Sequence, residues 1–168
     1  MPFTVENGTI VSGANSFVDI AFADDYFGLR GNTKWGLLSL ASKQASLVLA
    51  TDYIQVRYGD RLIGTLADSD QTLAFPRLYS GGVPTMPDAL LKATCEYALR
   101  ASERPLQPDP VLTEDGRMVT RSVEEIGPIR EEYAYSDVGN ALPALRNYPE
   151  ADALIALLIY KSGGLVRA

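Results

Sequence analysis

A chain of 168 residues, 46% apolar and 21% charged, is long enough to bury a core as one domain without disulfides. Its 21 acidic and 15 basic residues leave a net charge of −6, which disfavours a protein whose main task is to coat phosphate backbones. With no histidine and a single cysteine, Cys95, it lacks the partners for a His/Cys zinc site, an internal disulfide, a Cys-His nucleophile or a Ser-His-Asp triad.

The first residues, M-P-F-T-V-E-N-G, have neither the basic start nor the apolar run of a signal peptide, and no segment reads as long and apolar enough to span a bilayer. The expectation is synthesis in the cytoplasm with no membrane partner. Phe3 with Val5 and Ile10 with Val11 flank Asn7-Gly8, a pattern that predicts a small arm or β-turn.

Ser16 and Asp19 both suit a helix start, Asp19 better, and Ile20, Ala23 and Phe27 then fall along one stripe until Gly28 and Gly31 end it. Ser39 opens a second helix, with Leu40, Leu47, Ala50, Ile54 and Tyr58 at helical spacing and Gly59 closing it. Trp35, between the two, is expected to plug the corner of this helical hairpin rather than stack on a ligand.

Residues 60–87 read as a long connection in which Gln71, Leu73, Phe75, Pro76 and Arg77 are the informative positions, because an aromatic before proline is held extended and can lock the loop onto the helices. Arg77 reads as either a clamp or a solvated charge. Pro87 suits the first turn of a third helix whose Leu91, Thr94, Cys95 and Ala98 share a face. Three prolines between Ser102 and Leu112 then demand an extended linker, and β-branched residues alternating with charges from Arg117 to Tyr135 around Gly127-Pro128 predict a β-hairpin. Its charges, Arg121, Glu125, Arg130 and Glu132, read as solvated strand faces, with no nucleophile or metal ligand set beside them.

From Pro149 the sequence becomes strongly apolar, and Leu154, Leu157, Leu158, Tyr160, Leu165 and Val166 must be buried against their own domain or a partner. The expected architecture is mainly α: a small bundle of three to four helices with a β-hairpin and an extended or helical last segment. Residues 1–104 form the body and arm, 105–148 the linker and hairpin, and 149–168 the apolar segment. No phosphate-cradling glycine motif or cofactor signature is present in the sequence, and only carboxylates are available for catalysis, so a non-enzyme without metal or cofactor is expected.

Six pieces in order, A-N-S-F-V-D from Ala14, A-D-D-Y-F-G-L-R-G-N from Ala23, A-T-D-Y-I from Ala50, Q-T-L-A-F-P-R from Gln71, K-A-T-C-E-Y-A from Lys92 and V-E-E-I-G-P-I-R-E-E-Y from Val123, carry a resemblance. Together they resemble the tailed-phage proteins catalogued as "DnaT-like single-stranded DNA-binding", over nearly the whole chain. Phe17 and Phe75 stand where that family usually has Tyr and Trp, which keeps the packing but removes a ring donor.

The resemblance implies a head-tail connector in the virion neck, binding the portal protein and extending the DNA channel toward the next neck or tail protein. Copies of the chain would form a ring, about twelve after the portal, through heterologous contacts that must close. DNA would slide past an acidic wall without specific binding. On this reading the apolar residues of the last segment meet the portal or a neighbour. The catalogue name implies instead a primosomal single-strand binder, with Trp35 and Tyr79 stacking on bases and Arg77 holding phosphate.

Overall fold

The computed structural model describes residues 1–79, 82–109, 118–125, 130–136 and 146–160, with 118–125 and 130–136 as backbone alone. Two units result: residues 1–106 with 147–168, and residues 107–146. The fold is mainly α with a small antiparallel sheet and a hairpin.

Helix α1, Ile20–Gly28, begins where Asp19 accepts a hydrogen bond from the Phe22 N–H at 2.7 Å. Gly31 then turns at φ +64, a conformation that favours glycine, so that the Asn32 N–H reaches back to the Phe27 carbonyl at 3.0 Å. Asn32 in turn caps the short helix α2, Thr33–Gly36, by accepting from the Trp35 N–H. Ser39 caps α3, Leu40–Tyr58, through the Ser42 N–H, and a 3-10 turn, Gly59–Arg61, follows it. Asp19 and Ser39 are short polar side chains just ahead of an apolar stripe, which is why the sequence marked them, whereas the one-turn helix after Asn32 has no such stripe to mark it.

Helix α4, Asp88–Glu103, takes Pro87 as its cap residue rather than within its first turn, and packs on α3. Its buried face, Leu90, Ala93, Thr94, Cys95, Tyr97 and Ala98, meets Leu47, Ala50, Ile54 and Tyr58 in one core. Leu91 is only half-buried, and Leu40 lies largely in solvent at 64% exposure.

Residues 60–87 are more ordered than a bare connection. Strands β1, Thr65–Leu66, β2, Arg77–Leu78, and β3, Pro84–Thr85, pair antiparallel in the order β1-β2-β3. Two-residue strands carry too little alternation to be read from sequence. Gly64, at φ +80, leads into β1 where a Cβ would come within 2.5 Å of the Leu78 carbonyl oxygen. At the other end of the chain order, the Asn7-Gly8 turn is held by Glu6, whose buried carboxylate accepts from the N–H groups of Gly8, Ile10 and Val11.

In the second unit, β4, Met118–Glu125, pairs antiparallel with β5, Arg130–Ser136, with a register shift between Val119 and Arg121. The register sets Glu124 opposite Glu131 and Glu125 opposite Arg130. The expected turn at Gly127-Pro128 lies outside the described residues.

The last helix, α5, Pro149–Ile155, is shorter than the apolar run that contains it and packs against α4. Ala151 and Ile155 are fully buried in the body's core. Among the described residues no helix is long and apolar enough to cross a membrane.

Candidate interaction surface

The three side chains considered for nucleic acid, Trp35, Arg77 and Tyr79, are held inside the fold. Trp35 is 1% exposed, packs against the Phe27 ring at 4.9 Å, and donates its Nε1–H to Asp24 at 2.7 Å. Lys43 closes the corner by pairing with the same Asp24 oxygen at 2.7 Å. Trp35 therefore plugs the helical corner.

Arg77 is a clamp. Its guanidinium donates to the carbonyls of Leu62, Ile63, Gly64 and Ala74 at 2.8 to 3.2 Å, tying the start of the loop to its return. Five fixed donors on a planar fork suit four carbonyls from different directions, which a lysine does not match. Phe75, fully buried, packs edge-on against Phe17 at 5.9 Å, and Pro76 follows through a cis peptide bond. Tyr79 is half-buried beside this clamp, and burial pushes its hydroxyl pKa up.

Other cations are likewise engaged. Lys34 pairs with Glu103 at 2.6 Å, Lys92 with Asp88 at 2.5 Å, and Arg100 bridges Glu96 and Glu150 at 2.5 and 2.7 Å. Arg30 lies over the Tyr26 ring at 3.5 Å and Arg61 over the Tyr58 ring at 5.2 Å. The more exposed of these pairs add little stability, yet each cancels a positive charge locally.

The first residues of the expected contact segment divide in two. Leu158 is buried in the body and Leu154 half-buried, whereas Leu157 and Tyr160 are 67% and 63% exposed. Leu165 and Val166 lie outside the described residues. The Tyr160 N–H donates to the Arg61 carbonyl at 2.9 Å, and Ile159 bridges Leu62, so these two residues lie beside the turn that ends α3.

What holds α5 in place was not legible as a site. Asp152 accepts hydrogen bonds from the hydroxyls of Tyr58 and Tyr97 and from the Tyr148 N–H, and Arg57 approaches it at 3.9 Å. Burial opposes its charge, but these donors together hold its carboxyl below the usual carboxylate range. Tyr53, Tyr97 and Tyr148 pack ring to ring around it, 5.0 to 6.1 Å apart. Burial, the largest cause, and the neighbouring carboxylate push Tyr58 up to about 12 and Tyr97 further.

A second surface runs along the outer side of α3. Ala41, Ala45, Leu49, Asp52 and Val56 are all exposed, Leu49 at 53% and Val56 at 83%. The first four of these, with Phe3 and Val48 among others, line a groove of about 620 Å³. Sequence reasoning followed the inward stripe of α3 and passed over this one, although apolar residues on both sides of the helix were the available signal.

Among the described residues no group of three or more His, Cys, Asp or Glu side chains is arranged to hold a metal. Cys95 is buried, and burial, chiefly, pushes its thiol pKa up, the environment of an inert core cysteine. The family model described as "Putative DnaT-like ssDNA binding protein" matches residues 1–168. No curated protein and no solved structure matches the chain.

Proposed function

The chain belongs to the DnaT-like ssDNA-binding family, and we propose that within it this protein works as a structural adaptor of the phage neck, binding the portal and assembling into a ring around the DNA channel. The observation that carries this reading is where the aromatic and basic side chains are used. A single-strand platform needs exposed rings for bases and free cations for phosphate. Here Trp35 and Phe75 are core residues, Arg77 is spent on four carbonyls, and Lys34, Lys43, Lys92 and Arg100 face carboxylates. Aliphatic residues, by contrast, stay exposed at Leu157 and along α3, and Tyr160 is the one aromatic among the large exposed hydrophobics of the described residues. With a net charge of −6, such a surface suits protein neighbours and a channel that DNA does not adhere to.

The family's own description supports a second reading, binding of single-stranded DNA. One titration separates the two: the absolute mass of the purified protein by light scattering, alone and with oligonucleotide at low salt. The adaptor reading expects a mass indifferent to DNA, and retention of the protein by immobilised portal. A complex that grows with oligonucleotide and dissolves with salt overturns it in favour of the family description.

A further inference from the structure

We propose that the groove on α3 is the seat for Leu157, Tyr160 and residues 161–168 of a second copy of this chain, so that the tail of one copy and the body of the next make the repeating contact of the ring. The inference rests on the adaptor reading and adds the partner for both surfaces.

The groove is largely apolar, with Asn15, Gln44 and Asp52 as its polar side chains. Phe3, Ala41, Ala45, Val48 and Leu49 supply its walls, and Asp52 is the one charged side chain in the lining. The Asp52 carboxylate makes no hydrogen bond or ion pair among the described residues, while partial burial alone pushes its pKa up. A largely apolar trough whose carboxylate has no ion-pair partner among the described residues is matched by an occupant with apolar side chains and a cation.

The sequence contains such an occupant. From Leu157 it reads L-L-I-Y-K-S-G-G-L-V-R-A, with cations at Lys161 and Arg167 and no acidic residue. Its first members, Leu157 and Tyr160, already face solvent. Eight residues follow Tyr160, a reach of about 26 Å when extended.

The positions of exit and seat set the geometry. Tyr160 is tied to Arg61, just beyond the end of α3, whereas the groove lies over residues 41–52 of that helix. Different patches of one molecule therefore meet when a tail serves its neighbour, which makes the contact heterologous, and a heterologous contact gives a ring where its rotation closes.

Disulfide trapping tests the contact. Leu49→Cys and Leu165→Cys are made separately in the full chain; Cys95 is fully buried and does not compete. Mixed and oxidised, the two variants are expected to give a linked dimer at least tenfold above either variant alone. Asp52→Lys added to the groove partner should cut the yield about tenfold, and Lys161→Glu with Arg167→Glu on the tail partner should restore it. No mixed dimer overturns the inference. So does a cross-link found only inside a monomeric double variant, which would seat the tail on its own groove, and so does a yield indifferent to Asp52→Lys. Oligonucleotide titration of the wild-type chain scores the adaptor reading separately, whatever the cross-link yields.

Discussion

The hydroxyl of Tyr58 on α3 donates to the Asp152 carboxylate on α5 at 2.8 Å, across 94 positions of sequence. Tyr97 donates to the same oxygen, so one carboxylate joins three helices. Replacing it by alanine removes the acceptor of two buried phenols, which are left with only their bond to each other at 3.0 Å, and strands the Tyr148 N–H. Asp152→Ala should lower stability by about 3 kcal/mol, since hydrogen bonds to a charged group are the stronger kind. Denaturant unfolding of the two proteins, with an unchanged m-value, checks this; a shift under about 1 kcal/mol would mean that apolar packing of Ala151 and Ile155 alone holds α5.

The same cluster sets two pH limits. Asp152 has a folded pKa held below its unfolded value, so its stabilising contribution is full above about pH 4 and is lost as pH falls through the folded value. Tyr58 and Tyr97 are raised, so their contribution is full below about pH 10 and is lost as pH rises, for Tyr58 through about 12. Thermal midpoints should therefore fall on both limbs, and Asp152→Asn should flatten the acid limb. An acid limb unchanged by that substitution would place the acid sensitivity elsewhere.

Arg77 is the next test. Arg77→Ala should cost about 3 kcal/mol by orphaning part-buried carbonyls, and Arg77→Lys should recover less than half of it, because an ammonium cannot reach four acceptors in one plane. Oligonucleotide titration of the lysine variant should match wild type. A variant of wild-type stability with altered DNA affinity would instead make Arg77 a phosphate contact.

How much of this was readable beforehand depended on range. Asp19, Ser39, Gly31 and the inward stripe of α3 act within a few residues, and the sequence displays such devices directly. Trp35 as a corner plug was legible for the same reason, since the two helices flanking it were. Asp152 was not: set in an apolar run, it carries no local sign of the Tyr58 and Tyr97 hydroxyls, which only tertiary packing brings to it. Arg77 remained ambiguous between clamp and solvated charge because its acceptors are backbone carbonyls, which every residue has. The outer stripe of α3 was hidden differently, by apolar residues that the pattern assigns equally well to a core.

Trp35 is the chain's one tryptophan and serves as a built-in reporter. Buried at 1% exposure, its fluorescence should be blue-shifted in the native protein and unmoved by oligonucleotide. Trp35→Phe should cost about 1–2 kcal/mol, through the lost Nε1–H bond to Asp24 and lost ring area. Quenching of the native emission on DNA addition, without unfolding, would place the ring at a stacking surface and favour the single-strand reading.

Asp52 separates folding from assembly. Its pKa is raised by partial burial with no compensating partner among the described residues, so in the isolated chain its charge opposes folding once pH exceeds the unfolded value of about 3.9. Asp52→Asn removes that charge without changing shape. The variant's midpoint should equal or exceed wild type at neutral pH, with the difference vanishing below the carboxylate range, where wild-type Asp52 is already neutral. In the same variant the mixed cross-link between Leu49→Cys and Leu165→Cys should weaken, because the tail's cations lose their counter-charge. Stability gained where association is lost is the signature of a surface residue kept for a partner. A variant less stable than wild type at neutral pH would show that Asp52 serves the fold, and the groove would then lack its one charged determinant.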